Sequence, residues 1–435
     1  MKKKLLGLSV IGLAIFGLAS CESESKGSSA LASSAAASSA ASSAASSSAA
    51  SSSAATSSVA TSSAASSSVA SNLNYSVKVI DIDGEVLLEK DLVSTSKNSV
   101  LTDLQSATTV VGYEGTYGYS LSSIAGSVVD ANYYLAIYEN NSYASTGIEG
   151  LTIDEGDTFT FQVECWNTVA SGYGTLTDTD VLIDKTIYKY AKEVLPTRIA
   201  ADTTYSGSNY WSYMTVSLMA NNGYDTSVFN TASATDTLKT AVSSADVTAL
   251  TGANFGKYYY TNRALGNDTS DAFKTSYTSY LEGLTTYASF GEYTNPFSVS
   301  PAYSLNLGDK VADAVKNPTY TPSTSYGYDG YCWYLTANAL WKDTLSADDL
   351  AVLPTVVQAN SVSQAALLLP YAAYNQSGAA IAKLLMDNYY DSTTGFVKYT
   401  AASDKGTNYM IEQVYAGLAA YKVQRDKAAS ANLFA

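Results

Sequence analysis

The sequence predicts a multidomain protein, a small α+β domain rich in strands followed by an all-α domain of stacked helix pairs. Three observations predict it. Apolar residues alternate with period two from about Asn72 to Asn167, the period lengthens to about 3.6 beyond residue 170, and similar helix endings recur about every 40 residues. The chain has 435 residues, 46% hydrophobic and 14% charged, enough apolar material for more than one core. Lys and Arg number 24 against 39 Asp and Glu, a net charge of −15. That balance excludes nucleic acid as a partner, because phosphate binding needs concentrated Lys and Arg. Histidine is absent. Ser-His-Asp catalysis, Cys-His catalysis and His-ligated zinc are therefore excluded.

The first 20 residues read as a secretion signal. Lys2, Lys3 and Lys4 precede an apolar stretch, Leu5–Leu18, that is short for the ~30 Å of a bilayer core. Leu18-Ala19-Ser20-Cys21 resembles the lipobox of bacterial lipoproteins, which implies lipidation of Cys21 and a membrane partnership through that anchor. The expected location is the extracellular face of a bacterial membrane. Residues 21–72 are nearly all Ser and Ala and cannot offset their own ordering entropy. We read them as a flexible tether with roughly 40 Å of reach. Cys165 and Cys332 remain, with no CxxC pair, and are expected as unpaired buried thiols.

In the β-rich domain, residues 73–167, the run from Tyr75 to Gly84 alternates as a strand and ends on a turn, with Val86–Leu92 as its hairpin partner. Ser99 is placed to cap a helix Val100–Ala107. Tyr133–Tyr138, Leu151–Ile153 and Thr158–Cys165 read as strands, with Glu139–Ser142 and Glu155-Gly156-Asp157 as turns. Tyr133, Tyr134 and Tyr138 suit strand packing as well as ligand contact.

An ordered series of motifs runs through this segment: Val100-Leu-Thr-Asp-Leu104, Gly118 with Ser123-Ile124-Ala-Gly126, Tyr133-Tyr-Leu-Ala-Ile-Tyr-Glu-Asn140, Gly147-Ile148 and Glu155-Gly-Asp157. It resembles the DUF4430 domain, which is similar to the C-terminal domain of transcobalamin and intrinsic factor. The resemblance implies a β-grasp-like fold and the binding of soluble ligands. Tyr134 stands where the family usually has Trp.

In the helical domain, residues 178–427, Asp178 or Asp180 is placed to cap a helix Val181–Leu195 ended by Pro196. Trp211, Met214, Thr215 and Leu218 form the apolar stripe of the next helix. Cys332, Leu335 and Ala339 form another, and Ile411, Val414, Leu418 and Tyr421 a later one. Asn222-Gly-Tyr-Asp225, Gly266-Asn-Asp268, Gly308-Asp309, Lys342-Asp343 and Tyr374-Asn-Gln376 each follow an apolar, small-residue helix. The intervals between their aspartates are 43, 41 and 34 residues. We read these aspartates as helix N-caps, and Asp348-Asp349 as the first turn of a further helix. Repeats of this length are helix pairs, and about six pairs close an α/α toroid. The segment, Gln413–Tyr421 above all, resembles the toroid of prenyltransferases and terpenoid cyclases. In transcobalamin-type carriers the toroid comes first; here the β-domain leads.

Chemistry is sparse. Without histidine the prenyltransferase zinc site is not assembled, and the DxDD acid of the cyclases has no counterpart. No catalytic residue, metal or cofactor is expected, and the protein reads as a non-enzyme. The 36 tyrosines suit concave sites for sugars or planar ligands. Tyr134 in the β-domain, and Tyr210, Trp211, Trp333 and Tyr334 at helix starts around the mouth of a hollow ring, are the candidate ligand contacts. The leading reading is a lipid-anchored extracellular protein that captures a soluble small molecule, with a corrinoid-like ligand implied by the resemblance. The alternatives are a surface adhesion protein binding host or cell-wall protein or glycan, and a polysaccharide-active enzyme.

Overall fold

The computed structural model describes residues 72–435 apart from 117, 131, 167–175, 203, 206, 208, 225–231, 288–290, 318–327 and 403–407. The leader, Cys21, nearly all of the tether, and Asp225 lie outside the described residues. A sheet-containing region comes first and a mostly helical region follows.

β1 (Leu73–Ile80) and β2 (Val86–Ser94) form the expected hairpin, closed at Gly84, whose φ of +87° suits a residue without Cβ. α1 (Val100–Ala107) buries Val100 and Leu104. Next come β3 (Val110–Gly115) and β4 (Gly118–Ile124), a separate hairpin that the alternation did not announce. β5 (Tyr133–Glu139), β6 (Ser142–Tyr143) and β7 (Thr158–Cys165) complete the main sheet, in the order β2-β1-β7-β5-β6. β1 runs parallel to β7, and the other neighbours are antiparallel. One face of the sheet buries Val77, Val79, Tyr133, Leu135, Phe159, Phe161 and Val163 against α1 and Ile148. Leu151–Ile153 is not a strand: it follows a 3₁₀ turn, and its buried Leu151 and Ile153 plug the core from irregular backbone tied to Lys97.

The helical region opens with α2 (Asp178–Glu193), capped by Thr177 in a capping box with Asp180. The cap is thus Thr177, with both aspartates inside the first turn. Pro196 lies in the first turn of α3 (Leu195–Ala201), where its missing N–H is harmless. α4 (Tyr210–Asn221), α5 (Ala232–Ser243), α6 (Asn254–Ala264), α7 (Asp271–Gly283) and α8 (Gly291–Val299) follow. The single helix expected before Gly308-Asp309 breaks instead at Ser300, and Pro301 starts the short α9 (Pro301–Ser304). Then come α10 (Asp313–Lys316), α11 (Asp329–Asn338), α12 (Ala347–Val352), α13 (Ser361–Ala366), α14 (Leu368–Ala373), α15 (Ala379–Tyr389), the small hairpin β8 (Tyr390–Asp391) and β9 (Phe396–Val397), and α16 (Asn408–Lys427).

Contacts among the most buried helices form a closed circuit. α4 packs on α6, α6 on α8, α8 on α11, α11 on α13 and α14, both of these on α16, and α16 on α4. These helices are buried nearly all round, which explains why the stripe at Trp211, Met214, Thr215 and Leu218 understates α4: Ser212, Tyr213, Val216 and Met219 are buried too. Two glycines permit close approach. A Cβ on Gly256 of α6 would strike the Phe297 backbone of α8, and one on Gly417 of α16 would come within 2.5 Å of the Ala365 carbonyl in α13.

Three of the five recurrent endings contain a helix C-cap, a fourth cap precedes Gly308-Asp309 at Asn306, and Lys342-Asp343 has none. Gly223, Gly266, Asn306 and Asn375 all have positive φ. Each donates its N–H three residues back, and the next residue donates five back: Gly223 to Ala220 and Tyr224 to Met219, with the same pattern at Gly266/Asn267, Asn306/Leu307 and Asn375/Gln376. Four Schellman motifs therefore carry the repeat. The N-cap reading of the aspartates is corrected accordingly. Ser270 and not Asp268 caps α7, Asp309 lies inside a 3₁₀ turn and Asp343 in a loop, whereas Asp349 does complete the capping box with Ser346.

Candidate binding site

A groove of about 860 Å³ opens in the sheet region. Leu87 and Leu88 of β2, Val111 of β3, and Ser122 and Ser123 of β4 form its sides, and Thr108, Thr109 and the loop 125–129 complete it. Five hydroxyl side chains and several aliphatic ones line it, and none of these lining residues is ionisable. Such a surface holds a neutral molecule by shape and hydroxyl hydrogen bonds.

The loop is built tightly. Ala125 (φ +53°) and Gly126 (φ +81°) both take left-handed backbone. Ala125 N–H donates to the Thr109 carbonyl, Ser127 N–H to the Ile124 carbonyl, and Ile124 N–H to Ser127 Oγ at 2.9 Å. Val128 N–H donates to Asp81 Oδ1 at 2.8 Å.

At either end this loop reaches the helical region. Asp81 Oδ2 pairs with Lys192 Nζ of α2 at 2.7 Å, and Asp130 Oδ2 accepts from Tyr188 Oη of α2 and from Lys422 Nζ of α16. Tyr188 is buried in the sheet core, so α2 belongs to both packing units. Around Lys422 lie Asp184, fully buried, and Asp426; Arg425 forks onto both oxygens of Asp184 at 3.0 Å and pairs with Asp180 and Asp426. Burial would lower the Lys422 ammonium, but the charges of Asp184, Asp130 and Asp426 raise it. Burial raises the Asp184 carboxyl against the pull of Lys422 and Arg425.

The aromatic candidates separate into three places. Tyr210, Trp211 and Trp333 meet around Phe297, with Trp211 centroids 5.5 Å from both Tyr210 and Phe297 and 5.3 Å from Trp333. They are buried, Trp211 completely, so the open mouth expected there is a packed interior. The segment after α16 fills it. Phe434, also fully buried, packs edge-on to Phe297 at 5.3 Å, its backbone oxygen accepts from Tyr260 Oη at 3.0 Å, and Asn432 Nδ2 donates to the Thr336 carbonyl. The helical domain thus extends past the expected limit at residue 427. Tyr334 sits apart, against Tyr287 and Tyr331. Tyr134 lies on the half-exposed outer face of the sheet.

The thiols form no disulfide with each other; Cys332 is buried as expected, and burial pushes its pKa up, whereas Cys165 is only half-buried because it closes the end of β7. Interior to the helices, Arg198 pairs with Glu412, whose carboxyl burial lifts to about 7 against the pull of Arg198. Sequence reasoning missed this pair and the groove; Ser123-Ile124-Ala-Gly126 was visible as a motif, but the hairpin that makes it a wall was not.

No family model matches the chain, and no curated protein matches it. Among solved structures, one of a "putative metal binding protein" from Ruminococcus gnavus is similar at 19% identity, covering 21% of this chain and 97% of its own, with a TM-score of 0.20. Among the described residues no group of three or more Cys, Asp or Glu side chains is arranged to hold a metal ion, and no helix is long and apolar enough to cross a membrane.

Proposed function

We propose that the chain is a lipid-anchored binding protein of the extracellular bacterial surface, held by Cys21 and lifted off the lipid by the Ser/Ala tether. Its β-grasp-like domain and a toroid of six helix pairs together hold a neutral, soluble small molecule. The sheet order with parallel β1 and β7 at its centre supports the first assignment, and the closed circuit of inner helices supports the second. One observation carries the function: the 860 Å³ groove offers five hydroxyls and aliphatic walls but no lining group that could exchange a proton. Such a site grips without transforming. Because its loop hangs from Lys192 and Lys422, the helical region acts as its rigid support.

Calorimetric titration of the full chain with cobalamins and other neutral soluble molecules tests this reading. Saturable binding is expected for one class, and Ser122→Trp, which pushes an indole into the groove, blocks it. Silence across the panel, or binding that survives Ser122→Trp, overturns it.

A further inference from the structure

A second surface, on β5–β7, carries different chemistry. Strand alternation places Tyr134, Ala136 and Tyr138 on the outer face of β5, and the register sets them opposite Glu164, Gln162 and Thr160 of β7. Tyr138 stands opposite Thr160, yet its hydroxyl donates to Glu164 Oε1 at 2.7 Å, four residues further along the neighbouring strand. The ring must therefore lie along the sheet. Ala136, between the two, is wholly covered, although it faces outward. Tyr138 itself stays partly exposed, so its ring is a floor that a ligand can reach.

Tyr143, paired with Tyr138 across β5 and β6, is 60% exposed, and its ring is set at 88° to that of Tyr138 with centroids 5.6 Å apart. The edge-on contact with Tyr138 limits how that ring can turn. Floor and wall are held before any ligand arrives, so little rotamer entropy is lost on binding. Beside them Glu164 and Gln162 can accept and donate hydrogen bonds, since a carboxylate has about four acceptor sites and Tyr138 uses one.

We propose that this corner binds a neutral oligosaccharide. A pyranose has a flat C–H face to lay on the Tyr138 ring and ring-edge hydroxyls to donate to Glu164 and exchange with Gln162. A net charge of −15 disfavours uronic-acid and sulfated polymers. A protein partner would need a desolvated apolar core, and the face offers little aliphatic surface around its rings. This site shares no residue with the groove and stands or falls separately from it.

The test titrates the full chain with neutral gluco-, manno- and galacto-configured hexasaccharides, followed by calorimetry. Saturable binding of at least one is expected. Tyr138→Ala and Tyr143→Ala should each weaken it about tenfold or more, equivalent to about 1.4 kcal/mol. Glu164→Gln, which keeps an acceptor for Tyr138, should weaken it less. Tyr113→Ala, an exposed tyrosine on β3, and Ser122→Trp should leave it unchanged. Far-ultraviolet circular dichroism confirms that each variant is folded. No binding across the panel, binding indifferent to Tyr138→Ala in a folded variant, or saturation by choline in place of the sugars overturns the proposal.

Discussion

Lys192 Nζ lies 2.7 Å from Asp81 Oδ2, and the other oxygen of that carboxylate accepts the backbone N–H of Val128 in the groove loop. One buried aspartate thus joins the last turn of α2 to the wall of a binding groove in another core. Asp83 and Glu85 also face Lys192, at 3.4 and 2.7 Å, so the β1–β2 turn grips it from three sides. Burial alone would lower the ammonium pKa; hydrogen bonds to Asp81 and Glu85, with the charges of Asp81 and Asp83, leave it raised.

Lys192→Met strands the Asp81 carboxylate, which is wholly buried, without its cation. The Val128 amide, held by that carboxylate, is expected to exchange with solvent at least tenfold faster, while amides of α11 keep their protection. Hydrogen exchange read by mass spectrometry or NMR checks this. Equal protection at Val128 in both proteins would show that the groove does not depend on α2.

Much of this architecture is readable along the chain. Alternation located β1, β5 and β7 because each buries one face only, and Val100–Ala107 emerges with its expected bounds. The repeat was visible through endings such as Asn222-Gly223, Gly266-Asn267, Gly308-Asp309 and Tyr374-Asn375, but its meaning was misplaced: the caps are Gly223, Gly266, Asn306 and Asn375. Left-handed C-caps and N-cap aspartates occupy neighbouring positions in such endings, and only backbone angles tell them apart. β3 and β4 were missed because Gly112, Gly115 and Gly118 and partial exposure on both faces blur the period. The filled ring centre was illegible for another reason. Phe434 reaches Tyr260 across 174 residues, a contact no local pattern encodes.

Asp184 sits at the centre of the junction between the two cores. It accepts from Tyr133 Oη at 2.9 Å and from both Arg425 contacts, and lies 3.3 Å from Lys422. Asp184→Ala leaves two buried cations short of a counter-ion, at a cost of about 3–5 kcal/mol. Its urea midpoint should fall accordingly. A midpoint within error of the parent would mean that the network is neutral to stability.

Glu412 gives this histidine-free chain a stability slope in an unusual window. Burial lifts its carboxyl from the ordinary 4.5 to about 7, with Arg198 opposing. The folded state therefore holds a proton that the unfolded chain releases. The stabilisation is complete below about pH 4.5, falls by roughly 3 kcal/mol as pH rises to about 7, and is level above that. Asp184, also raised by burial, adds a slope of the same sign. Asp426 is lowered by Lys422 and Arg425 despite burial, so its contribution is lost only at more acid pH. Glu412→Gln should flatten most of the fall between pH 5 and 7 in a denaturation series. With no histidine to titrate there, an unchanged slope would remove Glu412 as its source.

Phe434 provides the sharpest test of whether the ring is held from its centre. Its ring is completely buried against Phe297 and Tyr260, and Tyr260 Oη donates to the Phe434 backbone oxygen while accepting from Ser300 Oγ at 2.6 Å. Phe297 in turn touches Tyr210, Trp211 and Trp333, so helices α4, α8 and α11 converge on one aromatic contact set. Phe434→Ala removes the ring that packs on Phe297, the hub of that set, and leaves a buried cavity beside it, at a cost of about 3–5 kcal/mol. Phe434→Leu retains most of the volume and should cost distinctly less. The discriminating readout is tryptophan fluorescence, since Trp211 and Trp333 report on the ring centre, whereas Trp166 is exposed and Trp341 stacks on Tyr303 away from Phe434. A red shift and easier iodide quenching in Phe434→Ala, absent in Phe434→Leu, mark water entering the ring. If both variants keep the parent spectrum and midpoint, the segment after α16 merely covers a ring that its own helices already close.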